Sequence, residues 1–181
     1  MGEHLEKRFR FTTSWNYEKE EEWLNELSAQ GLHLKKAGTF HSLFTRNPSV
    51  RYTYRLDYQP GLGTERLQEY KDLYEDAGWE YVSSYKGAWH YFRTEWESGD
   101  LPKLYTDTES LTEHYKKIQR VIGILMLTNV IIFSTNMVNV LNHYSGVWGI
   151  ILPVACIYVL LFGLLGYGYV KTGKKIKKIT S

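Results

Sequence analysis

The feature that most limits what this chain can become is residues 121–170, which contain no Asp, Glu, Lys or Arg. The stretch divides into two apolar runs, 121–141 and 147–170. At about 1.5 Å of rise per residue, a helix of either length crosses a hydrocarbon layer of about 30 Å. Only "NHYSG" (142–146) separates them, enough for a tight turn, so the two helices are expected as antiparallel neighbours in a transmembrane hairpin. Helices apolar on every side need lipid or a very large protein core, and 181 residues cannot supply such a core. The lipid bilayer is therefore the first expected partner.

Lys and Arg place the ends. Lys116, Lys117 and Arg120 precede the first run and Lys171, Lys174, Lys175, Lys177 and Lys178 follow the second, whereas the turn carries only His143. By the positive-inside rule both termini are expected in the cytoplasm, giving a two-span cell-membrane protein. Tyr144 and Trp148 would then lie at the outer interface, and Tyr167 and Tyr169 at the inner one. The five lysines of the polybasic tail, 171–181, are expected to lie flat on anionic headgroups. "MGEHLEKRFRF" is charged where a signal peptide has its apolar region, and Glu6 stands where an acylation signal has Ser or Thr, so neither signal is expected. In the first span Thr128, Thr135, Asn136 and Asn139 form a polar stripe beside Asn129, expected to face the second helix or, through Asn136 and Asn139, another copy of the chain. Gly163 and Gly166 would let backbones approach closely. The single cysteine, Cys156, excludes an intrachain disulfide and a thiolate metal site.

The polar half reads as an α+β domain over residues 1–98, followed by a linker and juxtamembrane helix over 99–120. "RFRFTT" (8–13) alternates as a strand does. Residues 17–30 carry Tyr17, Trp23, Leu24 and Leu27 as a helical stripe, with Asn16 as its cap and Gly31 at its end, and "LHLKK" and "FHSLFTR" make two strands around Gly38. A second pass begins at "VRYTYRLDY" (50–58), continues in a helix capped by Thr64 and ended by Gly78, and closes on the aromatic stretch 77–93. An offset of 47 residues lays one pass on the other without a gap, pairing Phe9 with Leu56, Phe11 with Tyr58, Trp23 with Tyr70, Gly31 with Gly78 and Arg46 with Arg93. The expected architecture is thus a duplicated strand-helix-strand-strand unit (8–46 and 50–93) with antiparallel sheet, its sheets joined about a pseudo-twofold axis and its helices on one side.

In topology this resembles the effector-binding domains of bacterial multidrug-responsive regulators, and that likeness implies an aromatic cleft at the seam between the halves. A closer resemblance rests on Trp23-Leu24-Asn25 with Gly31, Tyr52-x-Tyr54-Arg55-x-Asp57, Gly78-Trp79-Glu80, Trp89-x-Tyr91-Phe92-Arg93 and the hydrophobic tail. Those residues are similar to a family of Gram-positive membrane proteins called domain of unknown function 2812; this chain departs from it at Leu32, where the family often has a Trp after the first Gly. The resemblance implies a membrane-tethered cytosolic domain, encoded in many cases beside a PadR-like regulator, which it makes an expected partner.

No phosphate loop, nucleophile elbow, metalloprotease signature or cysteine pair is present, so no enzyme, cofactor or metal is expected. Residues 1–100 hold thirteen Lys and Arg against seventeen Asp and Glu, which argues against nucleic acid. His33, His41 and His90 read as exposed strand histidines. Arg55 and Asp57, two apart on one strand face, read as a surface pair, with holding a polar ligand as the alternative, and Arg46 and Arg93 as solvated strand ends or anion receivers. Trp79, Tyr81 and Tyr85 are expected on one strand face and Trp89 and Tyr91 on one face of the next. These rings fill a core, and part of the set lines a cleft for a small aromatic or cationic ligand or a partner peptide. The candidate ligand residues are Tyr52, Tyr54, Arg55, Trp79, Tyr81, Trp89, Tyr91 and Arg93. The expected function is a membrane-anchored cytosolic binding or sensing module; the alternative is a membrane-active or transport-accessory protein working through its hairpin.

Overall fold

Alternating and helical hydrophobic spacings translate directly into elements. A computed structural model describes residues 5–99, 101–143 and 148–180. The chain divides into two compact units, Met1–Thr106 and Asp107–Ser181. The first contains β1 (Leu5–Phe9), α1 (Tyr17–Ala29, entered through a 3-10 turn at Ser14–Asn16), β2 (Leu32–Lys36), β3 (His41–Arg46), β4 (Tyr52–Tyr58), α2 (Thr64–Asp76), β5 (Glu80–Tyr85) and β6 (Trp89–Glu95). Two antiparallel three-stranded sheets result, ordered β1-β3-β2 and β4-β6-β5. They are separate sheets, not the joined surface expected.

An offset of 47 residues carries Tyr17–Ala29 onto Thr64–Asp76. The same offset carries the β-bulge between Leu34 and Lys36 onto the one between Tyr81 and Ser83. Gly31 and Gly78 follow the two helices with φ of 76° and 83°, a conformation that costs a residue with a Cβ. A Cβ at Gly31 would also come within 2.8 Å of Pro48 Cα.

The first strand departs from that offset. It spans Leu5–Phe9, not 8–13, and Glu6 pairs with Phe44 while Leu56 pairs with Tyr91, so Glu6 and not Phe9 holds the place equivalent to Leu56. A slip of three residues, being odd, turns the other face of the strand inward. Phe9 and Phe11 are consequently 65% and 63% exposed and stack on Phe40. The expected caps also fail: the Asn16 amide donates to Thr13 Oγ1, and Thr64 is already the first helical residue after Gly63.

The two helices do not share a side. Tyr70 and Tyr74 of α2 pack on Phe92, and Tyr70 on His90, whereas Tyr17 and Glu20 of α1 meet Trp89 and Tyr91. Consecutive residues of β6 point to opposite faces, so the second sheet is covered by α2 on one face and the α1 side on the other. α1 also closes an open sheet edge. The outward N–H groups of Tyr52, Tyr54 and Leu56 on β4 donate to Ser28 Oγ (2.7 Å), Asn25 Oδ1 (2.6 Å) and Glu21 Oε1 (2.8 Å). Positions 21, 25 and 28 lie on one helical face, so three side chains replace the missing neighbour strand.

The second unit is a pair of long helices, α3 (Thr108–His143) and α4 (Trp148–Thr180), each long and apolar enough to span a membrane. They run antiparallel: Gln119 Nε2 donates to the Tyr169 carbonyl, Phe133 packs on Tyr158, and Ile151 and Val154 lie near Val140. The close approaches are at Gly123, against Tyr169, and Gly173, against Gln119, while nothing lies near Gly163 or Gly166. The stripe on α3 is exposed at Thr128, Thr135, Asn136 and Asn139, with Asn136 bordering a crevice shared with Ile151 and Val154 of α4. Asn129 and Thr135 bond to their own backbone at Leu125 and Ile131. The juxtamembrane residues from Thr108 and the lysine tail are continuous with α3 and α4, so the lysines lie on the last turns of a helix. Tyr144 and the turn around it lie outside the described residues.

Candidate functional site

Between the two sheets lies a cleft of about 90 Å³ that draws its walls from both halves of the first unit. Residues 10–14 and the β2–β3 turn at Gly38 and Thr39 form one rim, and Tyr17 and Glu20 of α1 form a wall. Ser42, Leu56, Tyr85, Trp89 and Tyr91 complete it. The turn is tight enough that a Cβ at Gly38 would collide with the His41 carbonyl oxygen. Trp89 is wedged between Tyr17 and Tyr58, with ring centroids 5.4 and 5.0 Å away. Tyr85 donates its hydroxyl to Thr39 Oγ1 at 2.9 Å, bridging the halves.

The charged members are Glu20 and Arg10. Tyr91 donates its hydroxyl to Glu20 Oε1 at 2.7 Å. Burial raises the Glu20 carboxyl above its usual range, an effect offset in part by the Tyr91 hydroxyl and the Arg10 charge. Burial and the adjacent carboxylate raise the Tyr91 phenol as well. Arg10 is occupied elsewhere, donating to the Lys19 carbonyl at 3.0 Å and lying over the Trp23 ring.

The eight residues expected to bind a ligand are not brought together. Trp89 and Tyr91 line the cleft. Tyr54 is fully buried, and its hydroxyl accepts the Leu34 N–H at 3.1 Å. Tyr52 packs edge-on against His33 and under the Arg93 guanidinium, and Arg93 itself is held by Glu80 through two bonds of 2.7 and 2.6 Å. Arg46 is likewise held by Glu6, so neither strand-end arginine is free to receive an anion. Trp79 is buried just before β5. Tyr81 packs on His90 and Phe92, on the face opposite Trp89 and Tyr91, while Tyr85 pairs with Trp89. The bulge at Val82 adds one residue and so separates Tyr81 from Tyr85, overturning the shared face expected of them.

Arg55 and Asp57 are not a surface pair either. Arg55 turns to the Tyr54 carbonyl (2.8 Å) and lies 3.9 Å from Glu21. Asp57 is 4% exposed and accepts hydroxyl hydrogen bonds from Tyr70 (2.6 Å), Tyr74 (3.2 Å) and Tyr105. Burial first, and then the Asp57 charge, raises all three phenols. His90, opposite Asp57 on β6, is buried; this lowers its pKa, and its ring bonds the Gln59 carbonyl. His33 is buried as well, bonded to the Asn47 carbonyl, so only His41 is exposed as expected. Among the described residues no group of three His, Cys, Asp or Glu could hold a metal ion.

Of the membrane-surface lysines, Lys171 lies over Tyr167 and Lys175 over Tyr115, while Lys174, Lys177 and Lys178 are exposed. Glu20, a cleft residue, is absent from the eight expected ligand residues. The signal was available: Glu20 and Glu21 fall between Tyr17 and Leu24 on the inward stripe of α1, where a carboxylate is costly unless it serves a neighbour. Residues 16–127 match the family described as "Protein of unknown function (DUF2812)". No curated protein and no solved structure matches the chain.

Proposed function

The chain belongs to the DUF2812 family, whose description assigns no activity, and we propose that it is a membrane-anchored binding module whose ligand enters the cleft between the two sheets. One observation carries this reading: a concave, aromatic, partly polar space walled by both halves of a unit that continues into two membrane-length helices. Binding sites of small molecules have this composition. The matching helix bounds and bulges support an origin by duplication, which would leave such a seam. Lysines at the outer ends of both helices support a cytoplasmic first unit with both termini inside.

A second reading concerns the hairpin. Asn136, exposed on α3, lines a crevice with Phe133, Met137, Val140, Ile151 and Val154. An exposed amide in an otherwise apolar crevice of a membrane-length helix pair favours association with another copy of the chain.

The binding reading is tested with the full chain in detergent micelles, by screening small molecules for thermal stabilisation. Thr39, exposed on the rim, is replaced in a Thr39→Trp variant to fill the mouth of the cleft. Stabilising compounds should lose their effect on that variant. Equal stabilisation of both proteins, or a silent screen, would remove the cleft as the binding site.

A further inference from the structure

We infer that the cleft takes a small organic cation, an ammonium or amine-bearing molecule, with Glu20 as its counter-ion; this rests on the reading that the cleft binds a ligand. Glu20 is the sole carboxylate among the described residues lining the space. Tyr91 occupies its Oε1 at 2.7 Å, which leaves Oε2 to a ligand. A carboxylate held in a partly dry site without a full counter-charge gains most from a cation delivered to it, because the attraction is strong where water is scarce.

The walls supply the other half of the recognition. Tyr17, Tyr85, Trp89 and Tyr91 line the same space from α1, β5 and β6, and Tyr91 touches the carboxylate itself. Aromatic rings attract cations, and a weakly hydrated ammonium loses little on leaving water. The protein's own cation fills this role only in part: Arg10 lines the same space and its charge reaches Glu20, but its guanidinium is anchored on the Lys19 carbonyl and the Trp23 face. An anion would meet the Glu20 charge, and a space of about 90 Å³ suits one small cationic head and not a polycyclic molecule.

The test is isothermal titration of the full chain in dodecyl maltoside, a neutral detergent free of ammonium groups. The probes are choline, benzyltrimethylammonium and 3,3-dimethylbutan-1-ol, the uncharged isostere of choline. At least one cation should bind about tenfold or more tighter than the alcohol, and Glu20→Gln should abolish the difference. If that variant is unstable, wild-type protein titrated downward in pH serves instead: burial holds the Glu20 carboxyl above its usual range, with the Tyr91 hydroxyl and the Arg10 charge acting on it, so cation affinity should fall before ordinary exposed carboxylates protonate, while alcohol affinity holds. An alcohol that binds as tightly as both cations would overturn the counter-ion role. Silent cations, with library compounds still lost on Thr39→Trp, would overturn the cation and leave the cleft a binding site. Silence of cations, alcohol and library together would overturn both.

Discussion

α1 and α2 each have thirteen residues and begin 47 positions apart, yet Tyr17, Leu24, Leu27 and Ser28 of α1 are buried and no residue of α2 is. The offset sets Leu24 against Lys71, Leu27 against Tyr74 and Ser28 against Glu75. One helix is attached by apolar packing and by side chains that complete the edge of β4. The other is attached by two tyrosine hydroxyls on Asp57, by rings on Phe92, and by Lys71 over Tyr81. Equal backbones can therefore be fixed by different forces, and the rigidly packed helix is the one that walls the cleft.

Three substitutions should break or sharpen that contrast. The largest effect is expected from Leu24→Ala, which removes a side chain 1% exposed and should cost about 3–4 kcal/mol in urea unfolding. Next comes Glu21, whose carboxyl burial pushes up to about 7 despite the Leu56 N–H and the Arg55 charge. Its folded pKa lies above its unfolded value, so the unfolded chain loses the proton first, and folding stability falls as pH rises from about 4.5 to about 7. Relative to Glu21→Gln, wild-type protein should lose on the order of 2–3 kcal/mol across that window. A difference that grows in the opposite direction would refute the burial of this carboxylate. The smallest effect is expected from Asp57→Asn, about 2 kcal/mol, because the tyrosine hydroxyls keep an uncharged acceptor. Its loss should loosen α2 and leave α1 intact, which near-ultraviolet circular dichroism of Tyr and Trp can register.

Much of this was legible in the residues themselves. Helical spacing with Gly31 and Gly78 marked both helix ends within a residue or two, and the uncharged stretch marked α3 and α4. Strand faces were less legible, because bulges at Lys35 and Val82 shift the alternation without any Gly or Pro to announce them. Phe9 and Phe11 looked like core residues by alternation alone, and the pairing of β1 three residues earlier exposed them. The burial of Asp57 depends on hydroxyls 13, 17 and 48 positions away, a proximity no local pattern encodes. Which glycines meet a neighbour in the hairpin depends on its register, hence Gly123 and Gly173 in place of Gly163 and Gly166.

The first unit thus frames the cleft on a tightly packed α1, with α2 held more loosely outside it. Hydrogen–deuterium exchange of the full chain in micelles measures this segment by segment. Residues 17–29 and the β4 amides of Tyr52, Tyr54 and Leu56 should exchange at least about tenfold more slowly than residues 64–76. Equal protection of the two helices, or faster exchange in α1, would contradict the account.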